Sequence, residues 1–92
     1  MVEEIKHYLD KGAVILDVRT QQEWDEGHIE GAQHIVLSDI PSEIEKIKSW
    51  EKPVIAVCRS GARSGQATQF LESRGIDIIN GGPWQNVDQH LS

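Results

Sequence analysis

Short runs of apolar residues recur along the chain and alternate with segments whose apolar residues follow helical spacing. The runs cover residues 13–18, 33–37, 53–57 and 76–79. Each run is too short to form a helix of its own, and the first and third are apolar almost throughout, which is typical of strands buried on both faces. The runs therefore predict four strands.

The segments between the runs are predicted to be helical, because their apolar residues lie three or four positions apart. The predicted helices cover residues 1–11, 20–27, 38–50, 63–74 and 83–91. The residues expected to face the core are Ile40, Ile44 and Ile47 in the third helix, Ala67, Phe70 and Leu71 in the fourth, and Trp84, Val87 and Leu91 in the last. Thr20 and Glu23 form a capping-box pattern at the second helix. Gly81–Pro83 predicts a turn, with Pro83 as the first residue of the last helix.

This alternation predicts an α/β fold, in which about four parallel strands form a small central sheet with helices on both faces. The 92 residues suffice for one such domain and are too few for a second, so we expect residues 1–92 to form a single domain. In such sheets, ligands bind beyond the carboxyl ends of strands, in the loops that lead to helices. Cys58 directly follows the third predicted strand and therefore lies at this position.

The charge of the chain is negative overall but positive around the cysteine. The net charge of −6 argues against nucleic acid and anionic membrane surfaces as partners. Residues 1–51 carry a net charge of −7, whereas residues 52–74 carry +3. Because Cys58 lies in the basic segment, we expect this part of an acidic protein to bind a small anion.

The residue types that bind metals are few and scattered. The chain has one cysteine and four histidines without ligand spacing, so we expect neither a metal site nor a cofactor. No apolar run is long enough to span a bilayer, and the N-terminal residues show neither a basic leader nor an apolar block. The sequence therefore predicts a cytoplasmic protein, or a periplasmic one if a leader has been removed.

The segment Cys58–Gly65 joins the third strand to the fourth helix with small residues and two arginines. Gly61 allows positive φ, successive backbone N–H groups can form an anion-binding nest, and the following helix adds the positive end of its dipole. Together with Arg59 and Arg63, these donors favour the thiolate of Cys58. A free cysteine with a pKa of about 8.5 is only about 3% thiolate at neutral pH, and a pKa about two units lower makes it mostly thiolate.

A lone cysteine is more often a small buried apolar residue than a nucleophile. That interpretation explains the position of Cys58 at the end of a strand. It does not explain why two arginines, a glycine and other small residues follow it. The loop as a whole therefore favours a chemical role.

The loop Cys58–Ser64 resembles the active-site loop of the rhodanese superfamily, whose pattern is Cys-Arg-x-Gly-x-Arg. The other matching segments are Leu16–Arg19 with the family's Asp-Val-Arg strand end, Glu23–Ala32 with its Glu-aromatic-x-x-Gly-His-Ile-x-Gly-Ala block, and Phe70–Gly75, Asn80–Gly82 and Trp84 with its C-terminal Gly-Gly signature. The match spans nearly the whole chain, in family order. The chain departs from the pattern in lacking an extra first strand and in the short distance from the Gly-Gly pair to Trp84.

The resemblance implies a rhodanese-type thiosulfate sulfurtransferase with Cys58 as the catalytic nucleophile. The thiolate would take the outer sulfur of a small anionic donor such as thiosulfate and hold it as a persulfide, until a thiol or cyanide removes it. A protein thiol is a further candidate acceptor. Asp17 and Arg19 are expected to be structural partners, and His28 to belong to a block that fixes a turn. The implied substrate-binding residues are Arg59, Ser60, Gly61, Ala62 and Arg63.

Two other functions stay open at this point. A cysteine phosphatase or arsenate reductase wraps a tetrahedral oxyanion in a Cys-x5-Arg loop, but here that arginine position is Ser64, and the arginine comes one residue earlier. The resulting six-residue loop, 58–63, is the length that the resemblance associates with sulfur. A non-catalytic binding or regulatory module of the same fold is the second alternative, because a fold and a site do not establish turnover.

Overall fold

The predicted alternation of helices and strands is present in the computed structural model, which describes the backbone of residues 2–91 and the side chains of residues 4–91. The elements are α1 (Val2–Asp10), β1 (Val14–Asp17), α2 (Gln21–Asp25), β2 (Gln33–His34), a 3-10 helix (Leu37–Glu43), α3 (Ile44–Ser49), β3 (Val54–Cys58), α4 (Ala62–Glu72), β4 (Ile78–Pro83) and α5 (Trp84–Asp88). Met1 and Ser92, the ends of the predicted domain, lie outside the described residues.

The four strands between residues 2 and 91 form one sheet in the order β2-β1-β3-β4, and each neighbouring pair is parallel. This confirms the predicted α/β class and the expected strand number. β3 lies between β1 and β4, and all five of its residues are buried. Its carboxyl end, where Cys58 is the last residue, therefore opens between the ends of two neighbouring strands.

Helices cover both faces of the sheet. Successive strand residues point to opposite sides, so the apolar strands present apolar side chains on both faces, and both need to be covered. One face packs against the 3-10 helix, α3 and α4, with a core that includes Leu16, Val54, Ala56, Cys58, Ala67, Leu71 and Ile78. The other face packs against α1 and α5, with a core of Ile5, Ile29, Ile55, Val57 and Val87. Burying one large aliphatic side chain stabilises the fold by about 1.5–3 kcal/mol, so the two layers hold β3 firmly.

The helix predicted over residues 38–50 is divided in two. The first part, Leu37–Glu43, is a 3-10 helix, and only Ile44–Ser49 is α-helical. Pro41 explains the division, since proline lacks a backbone N–H and its ring clashes with the carbonyl one turn earlier. The predicted apolar stripe still faces the core through Ile40, Ile44 and Ile47.

The edge strands differ most from the prediction. β2 is limited to Gln33–His34 instead of 33–37, because it pairs with β1 alone and the 3-10 helix begins at Leu37. β4 begins later and continues further than expected, covering Ile78–Pro83 instead of 76–79.

The segment Gly81–Pro83, predicted as a turn, continues β4 through a β-bulge. The successive residue pairs between β3 and β4 are Ala56 with Asn80 and Val57 with Gly82. Gly81 is therefore an extra residue on β4, and such a residue bends the strand and changes the direction of its neighbours. The bulge lies beside the carboxyl end of β3.

The last helix, α5, is shorter than predicted. It covers Trp84–Asp88, with Pro83 immediately before it rather than at its first position. Val87 is buried as expected, but Leu91 lies beyond the helix and is 45% exposed. None of the helices between residues 2 and 91 has the length and apolar character needed to cross a membrane.

Candidate active site

Cys58 ends β3 and is completely buried. The next three residues form a tight turn, and α4 begins at Ala62. Gly61 makes this turn possible, because its φ of +100° lies in the left-handed region that favours glycine. A Cβ at this position would also lie 3.3 Å from Cα of Gly82. The cysteine therefore lies where the sequence placed it, in a strand-to-helix turn.

Hydrogen-bond donors surround the Cys58 sulfur. The backbone N–H groups of Gly61 and Ser64 donate to Sγ at 3.0 and 3.3 Å, and Oγ of Ser64 lies 3.3 Å away. Burial raises the pKa of the Cys58 thiol. The Ser64 hydroxyl and the backbone N–H groups of Ser64, Gly61 and Ser60 outweigh burial, so the net pKa lies below its ordinary value. The turn therefore favours a thiolate.

Arg63, one of the two arginines expected to hold an anionic donor, forms a bidentate ion pair with Glu23. Nη1 and Nη2 of Arg63 donate to Oε1 and Oε2 of Glu23 at 2.7 and 2.9 Å. The same carboxylate accepts the backbone N–H of Thr20 at 3.0 Å and completes the predicted capping box of α2. The guanidinium, followed by this cap, lowers the pKa of Glu23 to about 2. Arg63 therefore joins α4 to α2.

Arg59 is exposed and lines a cleft of about 230 Å³ beside the turn. The other residues of this charged cleft are Arg19, Glu23, Glu26, Gly27, Trp84 and Gln85. Arg19 is buried, pairs with Asp17 at 2.8 Å and lies 5.2 Å over the ring of Trp84, so it is a structural partner as expected. Among the described carboxylates, none lies within 4.0 Å of the Arg59 guanidinium.

A second cleft, of about 380 Å³, touches the turn at Ser60 and Gly61. Its lining residues carry no charge and include the amides of Asn80, Asn86 and Gln89. Ala62, the last of the predicted loop residues, is exposed at the start of α4 and offers only its backbone. The predicted loop residues are therefore gathered around one sulfur, with a charged cleft and an uncharged cleft beside it.

Comparison with known proteins gives a family for this arrangement, since residues 1–83 match the rhodanese-like domain. The chain belongs to the rhodanese-like family. YtwF of Bacillus subtilis is 35% identical over 71 residues, which cover 77% of this chain and 68% of YtwF. The thiosulfate sulfurtransferase GlpE of Pseudomonas fluorescens is 38% identical over 70 residues, which cover 76% of this chain and 63% of GlpE. The chain thus spans about two thirds of the length of these two relatives.

The rhodanese-like fold is shared with a human protein, the single-domain sulfurtransferase TSTD1. The two structures superpose with a TM-score of 0.72 and 30% sequence identity, over 91% of this chain and 88% of TSTD1. The family resemblance inferred from the loop Cys58–Ser64 and the Gly-Gly signature is therefore confirmed.

Two polar residues of this rhodanese-like site are absent from the predicted site residues. Ser64 contacts Sγ of Cys58, and its hydroxyl donates to Oδ1 of Asn80 at 2.6 Å. For Asn80, the sequence offered one signal: it is a polar residue that follows the apolar run of β4 and precedes two glycines. Its meaning depends on the pairing of β4 with β3 and on the bulge, which the sequence pattern did not predict.

Proposed function

We propose that this rhodanese-like protein is a sulfurtransferase that carries a sulfane sulfur as a persulfide on Cys58. The observation that carries the proposal is the set of hydrogen bonds on Sγ, since donors from Gly61 and Ser64 stabilise a negative charge on this buried sulfur. The sulfurtransferases GlpE and TSTD1 among its relatives support this reaction class.

In the first half-reaction, the Cys58 thiolate attacks the outer sulfur of a small anionic donor such as thiosulfate. A sulfur–sulfur bond forms to Sγ while the sulfur–sulfur bond of the donor breaks, and sulfite leaves with the bonding electron pair. The backbone donors of the turn then face the persulfide in place of the thiolate.

In the second half-reaction, a thiolate or cyanide attacks the outer sulfur of the persulfide. The bond to Sγ breaks, its electron pair returns to Cys58, and the acceptor leaves as a persulfide or thiocyanate. A thiol on another protein fits the same chemistry. The electron balance closes without an added oxidant or reductant.

Arg59 is the residue that we assign to the donor. Its charge lies in the cleft beside the turn and is unpaired among the described carboxylates, whereas both terminal nitrogens of Arg63 already bind Glu23. Arg63 acts as a positioning residue that holds α4, and with it the turn, against α2. Ser60, Gly61 and Ala62 contribute backbone groups to the turn.

Intact-mass spectrometry after incubation with thiosulfate tests the proposal. We expect the protein to gain the mass of one sulfur atom and to lose it again in excess cyanide or thiol. Cys58→Ser should gain no sulfur, because a hydroxyl forms no persulfide. Since Cys58 is the one cysteine of the chain, the adduct has a single assignment. A thermal melt of the variant checks that its fold is intact.

A non-catalytic binding module is the second candidate, and the complete burial of Cys58 favours it. In that case neither thiosulfate nor another common sulfur donor adds mass to the chain. Cys58-dependent hydrolysis of an aryl phosphate, above the Cys58→Ser background, would instead contradict both functions and favour a phosphatase.

A further inference from the structure

Asn80 lies beside the Cys58 turn and makes three hydrogen bonds there. Its Oδ1 accepts the Ser64 hydroxyl at 2.6 Å and the Gly82 N–H at 2.9 Å, while its Nδ2 donates to the Gly61 carbonyl at 3.0 Å. Two of these partners, Gly61 and Ser64, also contact Sγ. Asn80 is therefore linked to the sulfur through two intermediate residues, Gly61 and Ser64, each of which it binds by one hydrogen bond.

The orientation of the Asn80 amide is determined by the backbone around it. The N–H of Gly82 can only donate, and the carbonyl of Gly61 can only accept. A reversed amide would place donor against donor and acceptor against acceptor at these two contacts. Oδ1 therefore faces Ser64, and the Ser64 hydroxyl, which can donate or accept, must donate to it.

This donation limits what Ser64 offers to the sulfur. The hydroxyl has one hydrogen, and two acceptors lie within reach, Oδ1 of Asn80 at 2.6 Å and Sγ of Cys58 at 3.3 Å. While the hydrogen points to Asn80, Oγ presents a lone pair to Sγ, which suits a thiol that donates its own hydrogen. A thiolate has no hydrogen to donate, so the hydroxyl must rotate and donate to the sulfur.

We propose that Asn80 is a positioning residue for Cys58: it holds the Ser64 hydroxyl hydrogen while the sulfur is a thiol and releases it to Sγ when the sulfur is negative. The thiol proton leaves to solvent, and the Ser64 hydrogen only changes its acceptor, so no covalent bond of Ser64 breaks. The release leaves no orphaned acceptor, because the N–H of Gly82 still donates to Oδ1.

We call this change of acceptor by the Ser64 hydroxyl hydrogen the switch. Its role in turnover rests on the proposed function, in which the Cys58 thiolate is consumed and regenerated in each cycle. The ionisation of Cys58 itself is measurable whether or not the protein transfers sulfur. A loss of persulfide formation and a loss of the switch are therefore separate outcomes.

Apart from the carboxylate that Asn80→Asp adds, which the Ser64→Ala background controls for, the charged groups near Cys58 are the same in every variant that tests the switch. Arg63 on α4 attracts the thiolate and is paired with Glu23. Asp17, at the end of the neighbouring strand β1, is paired with Arg19. β4 carries no charged residue, and α1 and α5 cover the opposite face of the sheet. The other charged residues on the elements around Cys58 are the same in every variant; they are Arg59 in the turn and Asp39, Glu43, Glu45, Lys46 and Lys48 on the 3-10 helix and α3. Changes at positions 64 and 80 are therefore read against a fixed background.

The test is a pH titration of the thiolate by its ultraviolet absorbance, on the full chain. Cys58 is the one cysteine, and the one tyrosine, Tyr8, does not interfere because its pKa is raised to about 12. The variants are Asn80→Asp and Asn80→Leu, each with Ser64 and with Ser64→Ala. The matched control is Asn86→Asp. Asn86 is an exposed residue of α5 that lines the uncharged cleft together with Asn80.

Asn80→Asp should raise the apparent pKa of Cys58 by about one unit, which means about tenfold less thiolate at a pH below it, because a carboxylate retains the hydroxyl hydrogen more strongly. Asn80→Leu should lower the apparent pKa, because Sγ is then the remaining acceptor for Ser64. In the Ser64→Ala background, the difference between the two variants should fall to less than half. Asn86→Asp should produce a much smaller rise, since its charge is exposed and screened.

Two results would overturn the switch. If Asn80→Asp and Asn80→Leu shift the pKa in the same direction, the amide only holds the shape of the turn. If Ser64→Ala leaves the Asn80→Asp shift unchanged, that shift comes from the added charge alone. If the switch behaves as expected in a protein that gains no sulfur from thiosulfate or another common donor, this inference is supported and the proposed function is contradicted.

Discussion

At the scale of single residues, Arg59 lies in the turn that follows Cys58 and Arg63 lies in the first turn of α4, and their surroundings differ. Arg59 is exposed in the charged cleft, whereas Arg63 is bound through two nitrogens to Glu23. An ion pair of this kind holds two elements together, and a solvated guanidinium is free to meet a ligand. The two arginines should therefore respond differently to the same substitution.

Arg59→Gln should slow sulfur loading by thiosulfate about ten- to hundredfold, since a lost charge-assisted contact costs about 1.5–3 kcal/mol, and should leave transfer to a neutral thiol nearly unchanged. Arg63→Gln should slow both half-reactions to a similar extent, because it releases α4 from α2. Stopped-flow measurement of each half-reaction separates the two effects. Arg74→Gln, beyond the far end of α4, is the matched control. Equal losses in both half-reactions for Arg59→Gln would contradict the donor assignment.

Glu23 couples the same ion pair to pH. Its folded-state pKa is about 2, below the ordinary value of 4.5, so its contribution to stability is fully present above pH 4.5 and is lost as the pH falls through about 2. Urea unfolding should therefore show a decline of the free energy of unfolding over this interval, with a shallower slope in Glu23→Gln. Exposed Glu26→Gln serves as the control and should keep the slope of the wild type. An unchanged slope in Glu23→Gln would show that the ion pair adds no stability.

The residues of the site differ in how far the sequence could predict them. Cys58 ends β3 and Arg59 follows it, so a buried apolar run and the strand-to-helix order were enough to place them. Asn80 is 22 positions away from Cys58 in the sequence and reaches the turn only because β4 pairs with β3. The local pattern marked Asn80 only as part of the Gly-Gly signature, and its contact with the turn, made across strands, was not predicted.

At the scale of secondary structure, local signals correctly predicted the strands that have continuous apolar runs. They were wrong at strand ends, where pairing with a neighbouring element determines how far the strand extends. Gly81–Pro83 has the composition of a turn, yet it is held in β4 by its pairing with Val57 and Cys58. Pro41, by contrast, is a local signal that the apolar stripe of residues 38–50 concealed. The register of β4, including its bulge, is a property of the packed sheet.

Gly81→Ala tests the bulge. A Cβ at Gly81 would lie 2.7 Å from Cγ2 of Ile55 and 2.9 Å from Cγ2 of Val87, so β4 or α5 must move. Overpacking of this kind costs about 1–3 kcal/mol, which should appear as a lower midpoint in urea unfolding. Gly81 is not among the glycines with positive φ, so the expected loss comes from the steric contacts of the added Cβ and not from backbone strain. A Gly81→Ala protein as stable as the wild type would mean that the bulge accommodates a side chain.

At the scale of the whole molecule, the donor and the protein carry charge of the same sign. The net charge of −6 is spread over a body of about 31 × 30 × 21 Å, while Arg59 acts at the cleft itself. Screening sets in beyond about 8 Å at physiological salt, so the groups that line the cleft matter most there: Arg59, Glu26, and the paired Glu23 and Arg19. On the proposed function, Arg59 would supply an attractive charge for an anionic donor in a protein whose net charge repels it.

Salt should expose this balance. As ionic strength rises, the ratio of the wild-type to the Arg59→Gln loading rate should fall, because the attraction that distinguishes the two proteins is screened. Loading rates with thiosulfate, measured over a series of salt concentrations for both proteins, give this ratio directly. A ratio that does not change with salt would mean that Arg59 acts by contact alone.

Cys58 is completely buried, so in the proposed persulfide the buried Sγ would differ from the outer sulfur that an acceptor attacks. In the proposed persulfide, the outer sulfur lies one sulfur–sulfur bond, about 2.0 Å, from Sγ. A bulky oxidant must pass the turn to reach the resting thiolate, whereas an acceptor needs to reach only the outer atom. If the persulfide forms as proposed, the protein without the extra sulfur would be protected from such oxidants, and the persulfide form would offer its outer sulfur to the acceptor.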